Sequence, residues 1–201
     1  IPAVMMIIIF QTLLMVIGMV TGEEYSSDGI RTYAPFGHTW AAAIRIVAGK
    51  TFVYCGLYAI FSFFLLGLLP YFFSIPNIGN GLYIVLLMIP YLIATSFLGL
   101  AASRYFTDSE APLLMIAFFS VGLIFLSGVS YPMELMPWYW KATHYILPAA
   151  PATLAFVQLN SMGASMADIR PEYITLWIQV LVYFILSIWV YQKKLQKSQL
   201  R

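Results

Sequence analysis

The sequence contains few charged residues: only 9% of its 201 residues are Asp, Glu, Lys or Arg, whereas 62% are hydrophobic. An ordinary soluble domain carries about 25% charged residues. A soluble fold of this size could not bury so much apolar surface, so most of the chain must face lipid. The ten basic residues nearly balance the eight acidic ones. This balance argues against a nucleic-acid-binding protein, which would show a basic stripe, and we expect no nucleic-acid partner.

Several chemical devices are missing as well. The single cysteine, Cys55, lies inside an apolar run, which excludes a disulfide framework and a thiol metal site. No phosphate-binding loop of the form G-x-x-x-x-G-K-[ST] occurs, so the chain does not bind ATP by that device. We therefore expect no catalytic residue, metal site or cofactor in this chain.

Five apolar stretches are long enough to cross a bilayer, which takes about 20 residues. They predict an all-α integral membrane protein, a single transmembrane domain over residues 1–201, with spans at about 1–21, 51–73, 82–102, 112–128 and 173–191. None of these stretches contains Asp, Glu, His, Lys or Arg. Proton relays and ion-coupled transport usually need such groups within the membrane. Either the protein does no chemistry itself, or its energy comes from a partner.

The basic residues predict the orientation of the spans. Eight of the ten fall in residues 22–50, residues 103–111 and the C-terminal tail, which we place in the cytoplasm. The first span then begins on the outer side, so we expect an earlier segment that crosses the membrane and six spans in the intact chain. The connection over residues 129–172 is predicted to be external.

The cytoplasmic connection over residues 22–50 is predicted to contain a short amphipathic helix along the membrane face. Pro35 suits a helix start and Gly49 a helix stop. Four apolar residues recur between them at helical spacing: Phe36, Trp40, Ile44 and Val47. This helix is either an ordinary interfacial helix or a docking helix that receives force from a cytoplasmic motor. Spacing does not separate the two.

The external connection is rich in proline and aromatic residues. Proline removes backbone donors, and aromatic side chains favour the headgroup level. We therefore predict a broken, re-entrant region over 129–172. Its acidic residues have no accompanying nucleophile or metal-ligand cluster, so we interpret Glu134, Asp168 and Glu172 as solvated loop charges. The two histidines, His38 and His144, are predicted to lie on opposite faces as surface or interfacial residues.

The order of these elements resembles the membrane subunit of a type-2 ABC transporter, the exporter permease class. The likeness rests on Ile1-Pro2-Ala3-Val4 at the first span, and on Glu23-Glu24, Asp28-Gly29-Ile30-Arg31-Thr32, Ala34-Pro35 and Ala48-Gly49-Lys50 in the cytoplasmic loop. It continues in Ser127-Gly128-Val129-Ser130-Tyr131-Pro132 with Glu134, Met136 and Pro137, and in Ile146-Leu147-Pro148. Together these pieces extend over nearly the whole chain.

The resemblance implies a coupling helix in the cytoplasmic loop and an outer gate in the external region. The implied coupling residues are Glu23, Glu24, Gly29, Arg31, Pro35, Phe36, Trp40, Ile44 and Lys50. The implied gate residues are Ser127, Gly128, Pro132, Glu134, Pro137 and Pro148.

The resemblance also implies partners and a location. These are a nucleotide-binding ATPase subunit that carries ATP and magnesium, a second permease subunit in a homo- or heterodimer, and a bacterial cytoplasmic membrane with the C-terminus inside. The expected activity is outward movement of an amphipathic, drug-like or lipid-like substrate. The alternatives are a polytopic membrane enzyme or a membrane scaffold that acts through the external loop.

Overall fold

A computed structural model describes residues 2–26, 39–73, 78–103, 105, 112–113, 122–123, 125–127 and 136–198. The helices among them are α1 (Pro2–Ser26), α2 (Trp40–Phe63), α3 (Leu69–Phe72), α4 (Gly81–Ala102), α5 (Trp138–Ile146), α6 (Ala149–Met162) and α7 (Arg170–Ser198). A π-helical turn over Phe64–Leu68 joins α2 to α3 without a break.

Four helices in the described part of the chain are long and apolar enough to cross a membrane: Ala3–Glu24, Trp40–Phe72, Gly81–Ala102 and Arg170–Gln196. They correspond to the first, second, third and fifth predicted spans and confirm the all-α membrane fold. The predicted fourth span, residues 112–128, falls mostly outside the described residues.

The second span differs from its prediction. Helix α2 begins at Trp40 and continues through Gly49, so the predicted helix stop at Gly49 and the separate interfacial helix before it are wrong. A glycine inside a helix costs only about 1 kcal/mol, and this helix has a buried face that offsets the cost, with Ala43 and Val47 fully buried. Thr39 caps the start, since its side chain accepts a hydrogen bond from the Ala42 amide. Pro35 and Phe36 lie outside the described residues.

Helix α4 lies at the centre of the bundle and packs against α1, α2, α6 and α7. Gly99 allows a close approach to α1, because a Cβ atom there would lie 3.0 Å from Ile17 Cδ1. The Tyr91 hydroxyl donates a hydrogen bond to the Met6 carbonyl at 2.7 Å, which links the same two helices at a second level.

Helix α6 is buried among the spans although it has only 14 residues. Its packing face contains several small residues, with Ala150, Ala152 and Ala155 fully buried. It contacts α1, α4 and α7 and ends at Gly163, whose φ of 65° lies in the left-handed region that favours glycine. The amide of Ile78 donates to the Asn160 carbonyl, so the connection before α4 also rests on α6.

Candidate functional site

An ion pair joins the end of α1 to α2. Lys50 Nζ donates to both Glu24 carboxylate oxygens, at 2.6 and 2.5 Å. The Lys50 side chain is 14% exposed and that of Glu24 25%. Both residues were predicted to belong to the coupling loop, and the structure brings them together across 26 positions of sequence. Pairing lowers the cost of placing each charge where water is scarce.

Helix α7 extends this pair towards α4. Lys50 Nζ also donates to the Tyr191 hydroxyl at 3.2 Å. The buried Tyr191 ring lies close to two cations, with Lys50 Nζ 5.3 Å and Lys194 Nζ 5.1 Å from its centroid. Lys194 in turn donates to the Ser103 carbonyl at 3.2 Å and to its hydroxyl at 2.9 Å, just after the last residue of α4. Cations near the face of an aromatic ring are attracted to it.

We call Glu24, Lys50, Ser103, Tyr191 and Lys194 the four-helix polar cluster. It contains a carboxylate and two ammonium groups but no arrangement of nucleophile and base. Its contacts hold one end of α1, α2, α4 and α7 in register. Sequence reasoning missed three of its members, because Ser103 was only the residue after a span and Tyr191 and Lys194 were assigned to a span end and a basic tail.

The start of α2, the helix that carries Lys50, presents an apolar surface. Trp40 is 55% exposed and Ile44 is 41% exposed, one turn apart on the same face. Val47, which the sequence placed on the same stripe, is fully buried. The predicted stripe is therefore divided between an outward face with Trp40 and Ile44 and an inward face that packs in the bundle. Gly29 and Arg31 lie outside the described residues, while Glu23 is exposed at the end of α1.

Three of the predicted gate residues are described, and they lie at the other end of the bundle. Ser127 and Pro148 are buried, and Pro137 is exposed immediately before α5. Gly128, Pro132 and Glu134 lie outside the described residues.

Helix α5 is held by side chains of α7. Gln179 Nε2 donates to the Tyr145 carbonyl at 2.7 Å, and the Tyr183 hydroxyl donates to the Ile146 carbonyl. These carbonyls lie in the last turn of α5, where carbonyls lack partners within the helix.

His144 on α5 was predicted to be a surface or interfacial residue, and this is wrong. Its side chain is 1% exposed, with Nδ1 2.7 Å from the Leu126 carbonyl oxygen. Burial lowers the pKa of His144, against the raising effects of the Leu126 contact and the Glu172 carboxylate. A neutral imidazole with its proton on Nδ1 therefore donates to Leu126. The hydropathy pattern could not show this, because it does not report that α5 folds back onto the residues before it.

The two described acidic residues of this region differ. Asp168 is exposed, as predicted, and its carboxylate accepts from the Ser165 amide and hydroxyl, each at 2.8 Å. These two bonds lower the pKa of Asp168. Glu172 is half-buried, with one carboxylate oxygen hidden from solvent, so its interpretation as a solvated loop charge is wrong. It lies in the first turn of α7, near the neutral His144, and a helix start favours a negative charge.

Metal-binding residues do not cluster in the part of the chain that the structure describes: no three of its His, Cys, Asp and Glu side chains could hold a metal ion together. The single cysteine, Cys55, is a half-buried free thiol in α2.

Comparison with known proteins places this arrangement in a family. The family model described as "ABC-2 family transporter protein" matches residues 1–189. A comparison with curated proteins found no match. The matched residues include three of the four described spans, most of the fourth, the helices α5 and α6, and three of the five residues of the four-helix polar cluster. The chain therefore belongs to the ABC-2 family of transporter proteins, as a multi-pass membrane permease of an ABC transporter.

Proposed function

We propose that this permease belongs to an ATP-driven exporter and that the four-helix polar cluster passes the motion of a separate ATPase to the spans. The observation that supports this most directly is the position of the cluster. It joins α1, α2, α4 and α7 at the end of the bundle from which the Trp40–Ile44 surface projects. Force applied to that surface would reach all four helices through the hydrogen bonds and the ion pair of the cluster.

Because α2 is continuous, it connects the Trp40–Ile44 surface directly to the four-helix polar cluster. Trp40 and Lys50 are ten residues apart in one helix, about 15 Å at 1.5 Å per residue. The helix has no break at Gly49, so a push at Trp40 displaces the Lys50 ammonium with it. The ion pair then moves the end of α1, and Tyr191 and Lys194 move α7 and α4.

The whole span Trp40–Phe72 has 33 residues. That is about 50 Å of helix, against about 30 Å of bilayer hydrocarbon. The first turns of α2 therefore extend beyond the hydrocarbon, where a cytoplasmic partner can reach them.

The remaining roles complete the proposal. A nucleotide-binding subunit binds ATP and magnesium and docks on the cytoplasmic segment 22–50. Two permease subunits pair through exposed apolar helix faces. The substrate is amphipathic, drug-like or lipid-like, since residues 51–72 and 81–102 contain no Asp, Glu, His, Lys or Arg. The working location is a bacterial cytoplasmic membrane with the C-terminus inside.

The test measures ATPase association and hydrolysis for the full-length protein with its candidate motor subunit in lipid nanodiscs. The variant Trp40→Gln/Ile44→Gln removes the apolar docking surface. The control Tyr71→Gln/Phe72→Gln changes two exposed aromatic residues at the opposite end of the same span, 80% and 72% exposed. We expect only the first variant to lose co-purification or lipid-stimulated hydrolysis while it stays folded. Equal behaviour of the two variants, or an ATPase that never associates, would refute the proposal.

A further inference from the structure

An apolar groove runs between α2 and α4 on the side away from the polar cluster. Its volume is about 500 Å³, within the range of about 300–1,000 Å³ that holds drug-sized ligands. Thirteen residues line it, and only Cys55 and Ser62 among them carry a thiol or hydroxyl group. The others are aliphatic, aromatic, methionine or glycine residues, so the groove suits a hydrocarbon ligand.

The groove extends through about half of the membrane. Along α4 its lining runs from Gly81 to Ile93, which is about 18 Å at 1.5 Å per residue. One leaflet contributes about 15 Å, half of the 30 Å hydrocarbon core. Gly81 is the first residue of α4, so the groove begins where that helix enters the membrane.

The groove ends where the two helices come together. The Cys55 thiol and the Ser96 hydroxyl are in hydrogen-bond contact at 3.7 Å, and Cys55 is the deepest residue of α2 in the lining. A transmembrane helix of a partner would need a groove along the full thickness of the bilayer. A groove of half that depth instead matches a single acyl chain.

The π-helical turn and Gly67 make room for the groove. The π-helical turn Phe64–Leu68 contributes Leu66 and Gly67 to the wall. Such turns insert an extra residue into a helix and often occur at functional sites. Gly67 removes a side chain from the wall, and a Cβ atom there would contact only the Phe63 ring, at 3.8 Å.

The groove also contains a polar atom without a partner. Ser62 is 4% exposed, and its hydroxyl has no hydrogen-bond partner among the described residues. Ser62 lies between Gly67 and Cys55, part of the way down the groove. This hydroxyl and the Cys55 thiol are the two polar side-chain groups of the lining, and the rest of the wall is apolar.

We propose that the α2–α4 groove binds one acyl chain of a glycerophospholipid from the leaflet at the Gly81 end, with the chain terminus near Cys55. This site is independent of the ATPase docking surface, so either proposal can fail without the other. The ligand comes from the surrounding bilayer rather than from a second protein chain.

The experiment uses the full-length protein in nanodiscs doped with phosphatidylcholine that carries a diazirine either near the head or at the end of one acyl chain. After illumination, mass spectrometry maps the labelled residues. We expect the end-of-chain probe to label the region around Cys55 and Ile93, and the near-head probe to label the region around Gly67 and Gly81.

A matched pair of variants tests whether the groove is occupied. Gly67→Trp fills the groove, whereas Gly56→Trp places the same side chain on the same helix where a Cβ atom meets open space. We expect groove labelling to fall to the level of the lipid-facing residues Phe52 and Ile60 in the first variant only. These two residues are 80% and 75% exposed.

The wild-type protein provides a second measurement if Gly67→Trp does not fold. In detergent micelles titrated with the probe, labelling in the groove should saturate as the ratio of probe to detergent rises, while labelling at Phe52 and Ile60 should rise in proportion. Groove labelling that rises in proportion would mean ordinary boundary lipid and would overturn the proposal. Cross-links from the groove to protein instead of lipid would show that a polypeptide covers it, which would overturn it too.

Discussion

Replacing Lys50 with methionine removes the ammonium group that pairs with the Glu24 carboxylate at the end of α1. Breaking a fully buried pair costs about 3–5 kcal/mol, whereas an exposed pair contributes about 0.2–1 kcal/mol. With Lys50 14% and Glu24 25% exposed, this pair lies between the two limits. We expect Lys50→Met to lower the free energy of unfolding by about 2 kcal/mol. For a chain of this size, that corresponds to a fall in Tm of about 4–8 °C.

The assay is thermal unfolding in nanodiscs for Glu24→Gln, Lys50→Met and the double variant. Since the double variant removes both charges, it should be more stable than the sum of the single effects predicts, with a coupling energy of at least about 1 kcal/mol. Arg45→Met is the control, because Arg45 is an exposed cation five residues earlier in the same helix. The reasoning fails if the coupling energy is near zero, or if Arg45→Met is as destabilising as Lys50→Met.

Two further predictions concern the other end of the bundle. The pKa of His144 is lowered in the folded protein. As pH falls, the imidazole is therefore protonated in the unfolded chain at a higher pH than in the folded protein. The stability contributed by neutral His144 is therefore present above about pH 6.5 and is lost as pH falls below that value. His144→Gln should flatten the dependence of Tm on pH in this range, and an unchanged slope would contradict the assignment. In Gly79→Ala the new Cβ atom would lie 2.5 Å from the Leu159 carbonyl oxygen, so we expect a loss of about 1–3 kcal/mol. Gly56→Ala, which meets open space, should cost nothing in the same unfolding assay, and equal stability of the two variants would show that the connection shifts freely.

The sequence was sufficient for the spans that the structure describes, because hydrophobic length is a local property. It also included Glu24 and Lys50 among the coupling residues, although only as members of one loop. Their pairing spans 26 residues, and the contact of Lys50 with Tyr191 spans 141. Contacts at such distances depend on how the helices pack, which no window of sequence reports.

The wrong predictions for Gly49, His144 and Glu172 have the same physical origin. Gly49 was interpreted from its intrinsic preference alone, and the buried face of α2 outweighs that preference. His144 and Glu172 were interpreted from the polarity of their segment, but the segment folds against α7 and the residues before α5. At each of these positions, packing in the folded protein outweighs the preference of the local sequence.

The bonds from Gln179 and Tyr183 to the last carbonyls of α5 have a consequence for biogenesis. Synthesis proceeds from the N-terminus, so α5 leaves the ribosome before α7 exists. Until the last helix has been inserted, Tyr145 and Ile146 lack the donors that satisfy their carbonyls, and an unsatisfied carbonyl is costly in an apolar setting. Helix α5 can therefore reach its final position only after the last span is in the membrane. The predicted outer end of this permease is the last part to mature.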